Sequence, residues 1–111
     1  MESFESAFND IKSQVVTLAD AQLKNYSEQA VTETNTFLDS TKEKLKDWTE
    51  QLAEKKIDND EFLWLLNSQK ALGQMKILTQ EASAKIKVDI FTNGVKKIVI
   101  DSLLKIVETA I

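Results

Sequence analysis

The chain has 111 residues, 42% hydrophobic and 29% charged, with a net charge of −4, two glycines, and no proline, histidine or cysteine. This length sets a single domain with a modest core. It has no disulfide framework and none of the usual zinc ligands. All fourteen basic residues are lysine, so an acidic chain lacks the arginine fork that reads guanine and clamps phosphate, and no nucleic-acid partner is expected.

The opening segment MESFESAFNDIK is acidic and has no apolar stretch of signal-peptide type, so a secretory signal is not expected. The longest apolar run, residues 62–66, is far below the ~20 residues of a membrane span. A cytoplasmic location is the resulting expectation. Asn25-Tyr26-Ser27 matches a glycosylation sequon, which carries no weight without a secretory signal.

Residues 1–56 read as one amphipathic helical arm. Apolar or small side chains recur at Phe4, Phe8, Ile11, Val15, Leu18, Tyr26, Ala30, Thr34, Phe37, Thr41, Leu45, Trp48 and Leu52. Those steps of three and four mark one helix face. Asn25-Tyr26-Ser27 is a candidate interruption, with Asn25 and Glu28 at capping-box spacing. Lys42, Lys44 and Lys46 alternate with Thr41, Glu43 and Asp47 as a solvated, charge-paired face.

A stop follows. Lys55 and Lys56 suit the negative end of a helix dipole, and Asp58 with Glu61 three residues on suits a new start. The reading ends one helix near residue 56, begins another near 59 and places the main reversal at 57–60.

The second arm, 59–111, is more apolar. Residues 57–111 hold 27 apolar side chains of 55, against 20 of 56 in residues 1–56. A helix apolar on most sides is buried on most sides. We therefore expect self-association through Leu63, Leu66, Ile77, Ile98, Val99, Leu103, Ile106 and Val107. Gly73 is expected to permit close helix packing, and Thr92-Asn93-Gly94 is a second candidate break. A β-hairpin across Asn93-Gly94 sets Asp89 opposite Ile98 and Ile90 opposite Lys97, which mismatches the faces.

The fold class is all-α, in one domain spanning 1–111. The leading architecture is a long antiparallel hairpin, with facing positions summing to about 117, assembled into an oligomeric bundle with a dimer favoured. In that register Trp48 and Trp64 are both buried near the turn. Residues 1–40, net −5, also face residues 85–111, net +2. The alternative is a compact single-chain four-helix bundle, reversing again at 25–27 and 92–94.

The chemistry-bearing patterns are weak. Asp58-Asn59-Asp60 opens like a calcium loop, but Phe62, Leu63 and Gln69 occupy later positions where ligands or glycine belong. Ser102-Leu103-Leu104-Lys105 matches a Ser-x-x-Lys pair without its companion motifs. Neither glycine sits in a phosphate-cradling loop. No catalytic, cofactor or metal residue is assigned, and no enzyme is expected. In the last segment Lys97, Asp101, Lys105 and Glu108 form a narrow polar stripe on an otherwise apolar helix, a pattern that also suits a membrane interface. The expected function is a non-enzymatic helical scaffold or interaction module, binding itself or another helical protein. The alternative is an amphipathic lipid- or membrane-interacting protein, as a surface coat or pore-forming component.

Overall fold

The computed structural model describes residues 2–68 and 82–110. In chain order they form α1 (Glu2–Leu23), a 3-10 turn (Lys24–Tyr26), α2 (Ser27–Ala53), α3 (Asn59–Asn67) and α4 (Ala82–Ala110). Among the described residues there is no strand, so the fold is all-α. The expected packing role of Gly73 and the surface position Ile77 lie outside the described residues.

α1 buries Phe4, Phe8, Ile11, Val15, Ala19 and Leu23, the three-and-four stripe of its sequence. It stops because Lys24 takes a positive φ of 29°, which a helix cannot continue through. The Ser27 amide then donates to the Lys24 carbonyl, and the chain turns back on itself. The Asn25–Glu28 capping box does not form; the residue preceding α2 is Tyr26, and its side chain makes no capping hydrogen bond.

The reversal is complete. Lys12 Nζ lies 2.7 Å from Asp39 Oδ1, and Lys42 Nζ lies 3.0 Å from Glu5 Oε2. α1 and α2 are therefore antiparallel neighbours. The longest dimension of the molecule is 45 Å, whereas an unbroken helix over residues 2–53 would run about 78 Å at 1.5 Å per residue. Of the two arrangements expected, the chain takes the compact single-chain one, with the reversal near residues 25–27 but not the one at 92–94.

The second turn follows its chemistry closely. At the end of α2 the Lys55 amide donates to Leu52 O at 3.1 Å and the Lys56 amide to Gln51 O at 2.8 Å. Lys55 sits at φ 64°. This is a Schellman ending with lysine in the place glycine usually holds. Asp58, in extended backbone, then accepts the Glu61 amide at 2.7 Å and starts α3 at Asn59. The reversal at 57–60 is where the sequence puts it, although α2 ends at Ala53 rather than near residue 56.

α4 runs through Thr92-Asn93-Gly94 without a break, which corrects the candidate interruption there and agrees with the mismatch of faces that argues against a β-hairpin. Phe91, Val95, Val99, Leu103, Ile106 and Val107 are buried on one stripe that passes straight through Gly94. Their burial outweighs the ~1 kcal/mol that an internal glycine costs a helix. Gly94 also has a packing role: a Cβ there would lie 2.8 Å from Leu18 Cδ2. α4 packs along the length of α1 and also touches α2 and α3. The start of α4 shares a cleft with residues 21–26, while its later turns border residues 6–14, so α4 is antiparallel to α1.

One core joins the four described helices. Thr34, Thr41 and Thr49 belong to it. The hydroxyls of Thr41 and Thr49 donate to the carbonyls of Phe37 and Leu45 at 2.9 and 2.6 Å, so these polar groups enter the interior with their hydrogen bonds made. The tryptophans depart from expectation. Trp48 is half-buried against the core, and Trp64 is 68% exposed. α3 turns Phe62 and Leu66 inward; Trp64, midway between them, lies about 200° from each at 3.6 residues per turn and faces out.

Candidate functional site

The seven described residues of the eight expected to drive self-association are placed differently from one another. Leu66, Val99, Leu103, Ile106 and Val107 are buried inside this chain's own core. Leu63 and Ile98 are half-buried. Folding α2 back onto α1 brings both helices to the surface of α4, and this cover is what the sequence reading assigned to a second molecule.

Other apolar side chains remain outside. Trp64 is 68% exposed, Ile86 64%, Ile90 53% and Val16 41%. Ile86 and Ile90 are one helical turn apart on the first part of α4 and share a face. Further along α4 the exposed face is the stripe of Lys97, Asp101, Lys105 and Glu108, all four exposed. The outer surface of this helix thus changes from apolar to charged along its length.

An open cleft of about 550 Å³ lies between the first reversal and the start of α4, lined by residues 21–26 with Ser83, Lys87 and Ile90. Its lining includes Lys24 and Lys87 and, among the described residues, no carboxylate. Among the described residues neither lysine has an ion-pair partner. Gln22, also in the lining, has a buried side-chain oxygen without a hydrogen-bond partner among the described residues.

α3 presents the opposite chemistry. Asp60 and Glu61 precede Trp64 by four and three residues, so the carboxylates flank the indole on one face. Asp60, Glu61, Trp64, Asn67 and Ser68 are all exposed. Beside them, in the turn, Lys56 Nζ lies 3.0 Å from Glu54 Oε2. The Lys56 ammonium is held above the ordinary lysine range, first by its hydrogen bond to Glu54 and then by the Glu54 charge.

The weak catalytic pattern gains little. Ser102 and Lys105 border a shallow depression with Ser6, Asn9, Asp10, Ser13 and Gln14; Ser102 is half-buried and Lys105 exposed. Asp58 of the calcium-like triplet serves as the cap of α3. Among the described residues no group of three carboxylate, histidine or cysteine side chains is placed to hold a metal ion. No described helix is long and apolar enough to cross a membrane.

Sequence reasoning missed Trp64, Ile86 and Ile90 as surface features. For Trp64 a signal exists: Phe62 and Leu66 claim the core side of a helix of nine residues, and Asp60, Glu61, Asn67 and Ser68 mark the side where Trp64 falls. Ile86 and Ile90 carry no such mark, because α4 is apolar on both sides at that point. Comparison of the chain with protein-family models, with curated proteins and with solved structures finds no match.

Proposed function

We propose that this protein is a non-enzymatic helical interaction module that works by self-assembly or by binding another helical protein. One observation carries the reading. The chain closes a core of its own and still leaves Trp64, Ile86 and Ile90 more than half exposed. Ile86 and Ile90 share one face of α4 and Trp64 stands on α3; large apolar side chains left outside the core are candidates for interaction surfaces. The absence of histidine and cysteine supports the non-enzymatic part of the reading. Sedimentation of the purified chain across a concentration series, with chemical cross-linking in cell extract, tests it. Association through surfaces containing these side chains is expected. A chain that stays monomeric and cross-links to nothing contradicts it.

A second reading rests on the two lysines beside the exposed isoleucines. Lys85, Ile86, Lys87 and Ile90 are all exposed on the first turns of α4. Apolar side chains edged by lysine suit a surface of anionic lipid. Flotation with anionic vesicles, lost in an Ile86→Ser/Ile90→Ser variant and absent with neutral vesicles, would favour this reading.

A further inference from the structure

We propose that the lysine-lined cleft at the first reversal is a docking site for a second copy of this chain, which inserts the exposed Trp64 of its α3. The proposal rests on the self-assembly reading above and names the two surfaces that meet.

The cleft and α3 are complementary in three respects. The first is shape. The cleft is open and concave, about 550 Å³, and α3 offers a single large side chain, 68% exposed, standing on a helix face that is otherwise polar. Burying a tryptophan removes roughly 150–250 Å² from water. A lone aromatic anchor in a pocket is the usual form of a binding hot spot.

The second is charge. Among the described residues the cleft carries Lys24 and Lys87 and no carboxylate. The α3 face carries Asp60 and Glu61 beside Trp64, and α3 contains no lysine. The two surfaces of one molecule thus have opposite signs, and the same copy supplies both. A cleft facing another cleft would oppose lysine to lysine.

The third is the affinity of lysine for an aromatic face. A lysine ammonium set against indole gains cation–π attraction, which is strongest for tryptophan among the aromatic residues. The molecule already uses this contact elsewhere: Lys12 and Lys42 both lie over the Phe8 ring, at 5.1 and 5.2 Å from its centre. Ile90 supplies the apolar wall of the cleft.

Cleft and anchor are different surfaces, so a single such contact is heterologous, whereas a twofold pair that makes it in both directions forms one isologous interface. Two copies side by side and antiparallel would satisfy both contacts and close as a dimer; a head-to-tail arrangement would continue as a chain.

Sedimentation equilibrium of the full chain and of charge-swapped variants tests the docking, with circular dichroism confirming that each variant is folded. Trp64→Ala is expected to weaken association by at least about tenfold. Lys87→Glu alone and Glu61→Lys alone each weaken it, and the chain carrying both substitutions recovers affinity. Association that persists unchanged in Trp64→Ala and in both charge variants overturns the docking while leaving self-assembly standing. A folded chain that remains monomeric at every concentration overturns both the docking and self-assembly.

Discussion

Lys12 and Asp39 stand 27 residues apart in the chain, and their side chains meet at 2.7 Å. On a continuous helix that separation would be about 40 Å. This pair, with Glu5 and Lys42 at 3.0 Å beside it, records the fold-back of α2 onto α1. It also explains why the apolar stripe of α4 finds its cover within one molecule.

The ion pairs record the reversal without supplying much of its stability. Their side chains are between 32% and 61% exposed, where such pairs contribute about 1 kcal/mol or less. Phe8, stacked on Phe4 with ring centres 5.8 Å apart and 2% exposed, is the larger contributor. Asp39→Ala is expected to lower stability by less than about 1 kcal/mol, and Phe8→Ala by about 3–5 kcal/mol. Urea denaturation of both variants checks the ranking.

Lys55 offers an opportunity for stabilisation. Its φ of 64° places a side chain in the left-handed region at the position where Schellman endings favour glycine. Lys55→Gly is expected to raise stability by about 0.5–1 kcal/mol, since relief of left-handed strain exceeds the extra entropy lost on folding. Thermal denaturation showing a clear loss of stability would contradict this account of the turn.

Asp58 acts in the opposite direction. Its carboxylate accepts the Glu61 amide at 2.7 Å, and it borders the α3 face that carries Trp64. Asp58→Ala is expected to cost about 1 kcal/mol, and Asp58→Ser should recover most of it. A chemical-denaturation midpoint unmoved by the alanine would show that the cap contributes nothing.

Gly94 is where two effects compete. Alanine there gains about 1 kcal/mol of helix propensity, but its Cβ would lie 2.8 Å from Leu18 Cδ2. The obstacle is the end of a flexible, half-buried side chain. Gly94→Ala is therefore expected to be near neutral and Gly94→Val clearly destabilising. In a Leu18→Ala background the alanine at 94 should become stabilising. A double-mutant cycle on residues 18 and 94 that shows no coupling would remove the close approach of α1 and α4 from the account.

The sequence made most of the core legible and less of its arrangement. Phe4, Phe8, Ile11, Val15, Ala30, Phe37, Leu45 and Leu52 lie on one apolar stripe, and all are buried. The Asp58 start and the polar stripe of residues 97–108 were equally readable, because each follows from local chemistry. The reversal at residues 24–26 was less so. Its positive φ falls on Lys24, with neither glycine nor proline to announce it, and tertiary packing rather than a turn motif holds it. Gly94 misled in the opposite direction: a residue able to end a helix instead lets two helices approach. The surface placement of Ile86 and Ile90 was illegible, since it depends on where α1 ends against α4. That dependence is why the proposed association surface lies on Trp64 and the cleft rather than on Leu103 and Ile106.

α1 and α2 fold back within one chain, so the self-assembly proposed above falls to side chains outside the core. The chain has no cysteine, so spin labels can be placed cleanly at Ser13→Cys and Ser40→Cys, both exposed positions on the facing helices. The distance is then measured by pulsed electron paramagnetic resonance with excess unlabelled chain present, so that only pairs within one molecule are read. A single short distance, well below the ~40 Å of a continuous helix, is the predicted result. A distribution centred near ~40 Å would contradict the fold-back and return Leu66, Val99, Leu103, Ile106 and Val107 to an intermolecular interface.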